Sequence, residues 1–337
     1  MKIAILSPIA WRTPPEKYGP WEQVASNLTE GLVEKGYDVT LFATANSITK
    51  AKLEWASKLP YEVDKENDPK VMECLHISHL MEQAGRFDII HNHFDFLPLT
   101  YSSLINVPML TTIHGFSSPK IIPVYKKYNN STSYVSISDS DRSEELDYLA
   151  TIYHGLDPKE FTFRKEKEDY LLYFGRIHPH KGAHAAIEIA RKAGLRLKIA
   201  GLIQEEAYFN SEIKPFIDNK NVEYLGNVGP EARDKLLGCA KALLHPIFFE
   251  EPFGLSVLEA MMCGTPVIAF KRGSMPELIR EEISGFLPGN ISEAVLAIKA
   301  LDKIDPKTCR AYAVKKFSLE TMTHAYLGAY ETVIKNK

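Results

Sequence analysis

Glu251 and Glu259 stand eight positions apart in residues 250–266 (EEPFGLSVLEAMMCGTP), the segment of this 337-residue chain with the most chemistry in it. The strand-like run KALLHP (241–246) precedes it, and helical spacing starts at about Leu255 and runs to Cys263, with Gly264 at its end. Glu251 therefore falls in a strand-to-helix turn and Glu259 inside the helix. A helix N-terminus offers N–H groups without partners and the positive end of a dipole, which suits a diphosphate. Gly254 at that turn lets backbone come close to a ligand. Two carboxylates are poor phosphate ligands, because like charges repel, but they are strong acceptors for the vicinal hydroxyls of a sugar.

A basic pair lies upstream. After the apolar run YLLYFG (170–175) come Gly175, Arg176 and then Lys181-Gly182. An arginine forks onto phosphate oxygens and a lysine acts as a point charge, so Arg176 and Lys181 can neutralise a departing diphosphate without a metal ion. His91 and His93, in HNHF, share one face if they lie on a strand. No cysteine or carboxylate pattern completes a zinc site around them, so a structural role or an acceptor contact is expected, and metal ligands are expected to be absent. Asp95 is a further candidate on the acceptor side. Ser138, Asp139, Ser140 and Arg142 are expected to cap a following helix, with Ser138 and Arg142 as outside candidates for ligand contact.

Such residues need a scaffold that brings loops together. KIAILS (2–7) is a short apolar run suited to a strand buried on both faces, and from Trp21 the residues Val24, Ala25, Leu28, Leu32 and Val33 recur at helical spacing up to Gly36. DVTLFA (38–43) completes a βαβ unit. Further strands are expected at 88–93, 108–114, 133–138 and 149–154, then at 170–175, 196–201, 222–226, 241–246, 266–270 and 285–288. This alternation predicts an α/β fold with doubly wound parallel sheets, in which ligands bind beyond the carboxyl ends of the strands.

The pattern breaks at GLDPKEFTFRKEKED (155–169) and restarts, which marks a domain boundary. The expected organisation is 1–157, 158–316 and a C-terminal helix 317–337 returning to the first domain. Length agrees, since one core seldom organises more than about 250–300 residues.

A net charge of −3, 45% hydrophobic and 25% charged residues describe an ordinary globular chain and argue against a broad nucleic-acid surface. The cysteines Cys74, Cys239, Cys263 and Cys309 are widely spaced and read as reduced core thiols of a cytoplasmic protein. The N-terminus is expected to be a strand and not a secretory signal. No run reaches the roughly 18 apolar residues of a membrane span, though peripheral membrane contact stays open. G-x-G-x-x-G is absent after the first strand, which lowers the prospect of a nicotinamide or flavin enzyme.

The block E-P-F-G-L-S-V-L-E followed by A-M-M-C-G-T-P-V-I-A resembles the E-x7-E segment of family-4 retaining glycosyltransferases, and Gly175-Arg176 with Lys181-Gly182 is similar to the family's G-R-(x)n-K-G segment. The resemblance implies the GT-B fold, two Rossmann-like domains facing across a cleft. It implies that Glu251 contacts the transferred sugar, Glu259 the nucleotide ribose, and the backbone of Phe253, Gly254, Leu255 and Ser256 the sugar and phosphate. Asn227 and Val228 would abut the nucleobase. Gly19, in the loop KYGPWE, would approach phosphate, although Pro20 replaces the family's second glycine and has no N–H to donate. His114, in Thr112-Ile113-His114-Gly115, would lie near the donor sugar. His154-Gly155-Leu156-Asp157 is similar to an interdomain turn with histidine in place of asparagine.

The function so implied is retaining, metal-independent transfer of a hexose from a UDP-glucose or GDP-mannose type donor to an acceptor hydroxyl on a small molecule, glycan or lipid, with no cofactor. A sugar-binding protein, a sugar-nucleotide epimerase and a glycoside phosphorylase of related fold are the alternatives.

Overall fold

The computed structural model describes residues 1–116 and 118–336. The chain forms two compact units, Met1–Gly155 with Leu319–Lys337, and Leu156–Ser318. The crossings lie at 155/156 and 318/319, beside the expected 157/158 and 316/317.

The first unit is built on β1 (Lys2–Leu6), α1 (Pro20–Glu34), β2 (Asp38–Phe42), β3 (Lys52–Glu54), α2 (Pro69–Met81), β4 (Ile89–Asn92), β5 (Met109–Ile113), α3 (Ile122–Tyr128), β6 (Ser133–Ser136) and β7 (Tyr148–Thr151). Its seven strands are all parallel, in the order β3-β2-β1-β4-β5-β6-β7. Ile3, Ile5 and Leu6 of β1 have no exposed surface, and each such side chain contributes about 1.5–3 kcal/mol by burial. Helix α1 starts with Pro20 at a position whose missing N–H costs nothing, and it ends before Gly36, whose φ of 83° only glycine adopts freely. Its apolar positions Val24, Ala25, Leu28 and Leu32 are buried.

The second unit comprises β8 (Tyr170–Phe174), α4 (Ala183–Ala193), β9 (Arg196–Ala200), α5 (Glu206–Tyr208), β10 (Val222–Tyr224), α6 (Pro230–Cys239), β11 (Ala242–His245), α7 (Leu255–Met262), β12 (Val267–Ala269), α8 (Met275–Leu278), β13 (Gly285–Phe286), α9 (Ile291–Lys299) and α10 (Pro306–Phe317). The strand order is β10-β9-β8-β11-β12-β13, again all parallel. Both sheets are doubly wound.

The last helix, α11 (Leu319–Lys335), packs on α1. Gly31 makes this approach possible, because a Cβ there would meet Thr323 Oγ1 at 2.4 Å. Tyr330 bonds to His91 Nδ1 at 2.7 Å and Tyr326 to Thr112 at 2.8 Å, tying α11 to β4 and β5.

Two expectations fail, and one strand was not expected. No helix follows Ser138; residues 139–147 form turns, because Ser138 and Ser143 hydroxyls accept from nearby backbone N–H groups and so compete with helical bonds. Strand β3 went unpredicted, being only three residues at the sheet edge. Cys74 is exposed instead of lying in the core, while Cys263 and Cys309 are buried; all four thiols are free.

Candidate functional site

In the second unit the strand order reverses between β8 and β11, which lie side by side and lead to helices on opposite faces. The crevice at such a reversal is where doubly wound sheets bind ligands. Loops 175–182 and 246–254 leave the sheet there, and three glycines let them close up. A Cβ on Gly182 (φ 74°) would stand 1.9 Å from the Pro246 carbonyl oxygen, and one on Gly201 would stand 1.8 Å from that of Gly175. A Cβ on Gly273 (φ 51°) would meet Glu251 N at 2.3 Å and its O at 2.4 Å. Backbone bonds complete the junction: Phe248 N–H donates to His180 O at 2.7 Å and Ser274 N–H to Glu251 O at 2.9 Å.

At the junction Lys181 Nζ lies 2.5 Å from Glu251 Oε2, and His245 Nε2 lies 3.5 Å from the same oxygen. The lysine also sits over the Phe249 ring, 4.6 Å from its centroid. Burial alone raises the Glu251 carboxyl, but Lys181 and His245 outweigh it and bring it down to about 2. Burial lowers the Lys181 amine, with Glu251 opposing. Sequence reading gave these two residues separate tasks; the structure makes them one charged pair. Arg176 bonds Gln204 Oε1 at 2.6 Å on the neighbouring loop after β9. Gly175 is locked to β9 by its N–H to Ala200 O at 3.1 Å.

Gly254, with φ 99°, starts α7, and no side chain caps that helix. The Gly254 carbonyl accepts from Val257 and Leu258 N–H groups at 3.1 and 3.3 Å, so the amides of Leu255 and Ser256 precede the first helical bonds. Phe253 is a buried ring packed edge-on to Phe317, and its carbonyl accepts from Ser274 Oγ at 2.6 Å. Glu259, one turn further on, is buried and lies 3.0 Å from Arg233 Nη1 of α6. Burial raises its carboxyl, and Arg233 counters this. Asn227 and Val228, both half-buried, lie between β10 and α6.

The first unit holds a second cluster. His114, just past β5, stacks on Trp21 of α1 with centroids 5.5 Å apart, and its Nε2 pairs with His93 Nδ1 at 2.9 Å. His93 lies 4.1 Å from His91, and His154 5.2 Å from His114, between ring centroids. All four are buried; burial pushes His114 down to about 3 and the others well below the ordinary range, so they act as neutral donors and acceptors. His91 is satisfied by Tyr330 and Thr112. Among the described residues no group of three His, Cys, Asp or Glu side chains is placed to hold a metal ion.

Gly19 adopts φ 153° at the start of α1, with Pro15 2.8 Å from where a Cβ would stand. Glu22, three residues on, accepts the Trp11 N–H at 3.1 Å, and burial pushes its carboxyl up to about 7. Asp95 has φ 80° and bonds the Tyr125 hydroxyl; burial raises its carboxyl to about 6. Ser138 Oγ accepts from Asp141 N–H, and Arg142 lies over the Tyr148 ring, so both serve the local turn.

Sequence reading missed His245, Gly273, Arg233 and Glu22. His245 ends a strand and Glu22 sits beside Gly19, so position alone marked both. Arg233 and Gly273 carry no local signal, because their partners are 26 and 22 residues away.

Two doubly wound parallel sheets, one with a charged pair and an uncapped helix where its strand order reverses, define the class as a two-unit α/β protein with a candidate ligand crevice at that reversal. Comparison with known proteins narrows the class. The family model described as glycosyl transferases group 1 matches residues 157–313, and that of glycosyltransferase family 4 matches residues 21–163. The chain belongs to the family-4 glycosyltransferases. It is 25% identical to a glycosyltransferase of Methanocaldococcus jannaschii, over 85% of this chain and 84% of that one. The fold is GT-B, as in the solved structure of AviGT4, a glycosyltransferase involved in avilamycin A biosynthesis, which matches at 23% identity over 100% of this chain and 99% of that one, with a TM-score of 0.74. Anabaena HepE, solved in complex with UDP-glucose, matches at 19% identity over 98% and 100% of the two chains, with a TM-score of 0.74. No helix among the described residues is long and apolar enough to cross a membrane.

Proposed function

We propose that this chain is a retaining hexosyltransferase that moves a sugar from a UDP-glucose or GDP-mannose type donor to an acceptor hydroxyl, without a metal ion or cofactor. The observation that carries this reading is the Lys181–Glu251 pair, 2.5 Å apart beside the uncapped start of α7. A buried carboxylate kept ionised is an acceptor for sugar hydroxyls, and the neighbouring ammonium and helix N-terminus favour a diphosphate.

In this reading the amides of Leu255 and Ser256, Lys181 and Arg176 face the diphosphate, Gly175 and Gly254 give it room, and Glu251 holds the sugar. Glu259 takes the ribose and Asn227 with Val228 the base. The bond from sugar C1 to the diphosphate oxygen breaks as the bond from C1 to the acceptor oxygen forms on the same face, and the departing phosphate takes the acceptor's proton. Positive charge fixed where negative charge develops is the main source of rate. Neutral His114 offers a hydrogen bond to the sugar, and Gly19 allows close approach of the α1 start. The acceptor is a small molecule, glycan or lipid, and the four free thiols suit a cytoplasmic protein.

The test is donor hydrolysis in a chelating buffer, with water as acceptor, followed by proton NMR before the released sugar mutarotates. Retention predicts that the α-hexose appears first from UDP-glucose or GDP-mannose. First appearance of the β anomer, or dependence of turnover on added divalent metal, would contradict it.

A further inference from the structure

The second carboxylate of the 250–266 segment is not alone in the fold. Glu259 is buried, and its nearest charged partner, Arg233, comes from another helix: Nη1 stands 3.0 Å from Oε1, with the arginine side chain 19% and the glutamate 7% exposed. The approach is fixed by neighbours on the same two helices. Asp234, the next residue on α6, receives the thiol of Cys263, the residue directly after α7, at 3.6 Å and the Thr162 N–H at 2.7 Å. Cys263 lies four residues after Glu259, one turn along the same helical face. Two successive residues of α6 thus hold α7 at Glu259 and just past its last residue.

A carboxyl buried this far tends to take up a proton. Glu160 also faces this group, and its negative charge pushes in the same direction. A protonated carboxyl has one acceptor oxygen and one donor, whereas a vicinal diol donating two hydrogen bonds needs both oxygens as acceptors. Burial and Glu160 keep the carboxyl raised on balance, and Arg233, 3.0 Å from Oε1, opposes them from one side.

We infer that Arg233 is a positioning residue of the nucleotide site, holding Glu259 ionised and oriented so that its oxygens accept from the two hydroxyls of the nucleoside ribose. This rests on the reading of Glu259 as the ribose contact. Arg233 itself touches no substrate. Its contribution is selectivity for a ribonucleotide over one lacking those hydroxyls.

The experiment measures binding of UDP and GDP, each against its 2′,3′-dideoxy form, by calorimetry. The proteins are the wild type, Glu259→Gln, Arg233→Met, Arg233→Lys and the double variant Arg233→Met/Glu259→Gln. Wild type is expected to prefer the ribonucleotide by about 10- to 100-fold, the fold-change that corresponds to leaving a buried acceptor without its partner. Arg233→Met is expected to lose most of that preference while its affinity for the dideoxy form changes less than about 3-fold, and Arg233→Lys to restore part of it. In the double variant no lone buried charge remains, and it is expected to match Glu259→Gln. A wild type with no ribose preference would overturn the Glu259 reading and this inference together. A preference lost in Glu259→Gln but intact in Arg233→Met would overturn this inference alone. Should Arg233→Met fail to fold, Arg233→Lys and the double variant decide: a preference in the double variant above that of Glu259→Gln contradicts the coupling.

Discussion

Lys181 and Glu251, seventy residues apart in sequence, meet at 2.5 Å with only 14% and 11% of their side chains exposed. Breaking such a pair leaves one charge buried without its partner, which costs about 3–5 kcal/mol. Lys181→Met is therefore expected to lower stability by that order and turnover by about 10²–10³-fold. Chemical denaturation and initial rates check the two effects separately, and unchanged turnover would remove Lys181 from leaving-group stabilisation.

The same pair sets an acid limit. The Glu251 carboxyl is held below its ordinary value, down to about 2 against 4.5 for a free side chain, so its contribution is complete above the unfolded value and is lost as pH falls from about 4.5 toward 2. Melting temperatures of wild type and Glu251→Gln are expected to converge over that window. Parallel curves would contradict the assignment.

Glu22 acts in the opposite direction. Its carboxyl is raised by burial to about 7, so the folded state binds the proton more tightly and stability falls as pH rises from about 4.5 to 7. The loss is about 3 kcal/mol. Glu22→Gln keeps an acceptor for the Trp11 N–H and is expected to stabilise the protein at pH 8 but not at pH 4.5. Denaturant titrations at the two pH values decide this.

Three glycines separate conformational strain from collision. Gly36 has φ 83° and open space around a would-be Cβ, so Gly36→Ala is expected to cost only about 1–2 kcal/mol. Gly182→Ala and Gly273→Ala drive Cβ to 1.9 Å from the Pro246 oxygen and 2.3 Å from Glu251 N, both backbone atoms. These two are expected to abolish nucleotide binding, which a thermal-shift titration with UDP and GDP reports, while Gly36→Ala retains it.

Tyr330 donates to or accepts from His91 at 2.7 Å, both fully buried. Tyr330→Phe leaves His91 Nδ1 unpartnered and is expected to cost about 1–3 kcal/mol. An unchanged denaturation midpoint would show that the Tyr330–His91 bond adds nothing to the hold on α11 beyond packing and the Tyr326–Thr112 bond.

Much of the fold was legible because buried parallel strands write themselves as short apolar runs. KIAILS, YLLYFG and PVIAF each mark a strand to within two residues of its observed ends. Edge strand β3 was not, since three half-exposed residues carry no period. The supposed helix after Ser138 failed because serine and aspartate serve turns as readily as caps. In the candidate site, Glu251, Glu259, Arg176 and Lys181 stood out by type and local spacing. Arg233 and Gly273 did not, because what recommends them is a contact made only when helices or loops distant in sequence come together. Histidine spacing drew attention to His91 and His93, yet a metal reading and a hydrogen-bonded core reading share the same pattern. The Tyr330 and Thr112 partners of His91 are visible only in three dimensions.

The central claim is that the loops around Lys181 and Glu251 form a site that activates a nucleoside diphosphate sugar. It is tested most directly by release of nucleoside diphosphate from UDP-glucose and GDP-mannose in the presence of chelator, comparing wild type with Lys181→Met at matched folded concentration. The account predicts steady release by the wild type from one of these donors and a loss of about 100-fold or more in the variant. No release from either donor, or equal rates in the two proteins, would contradict it.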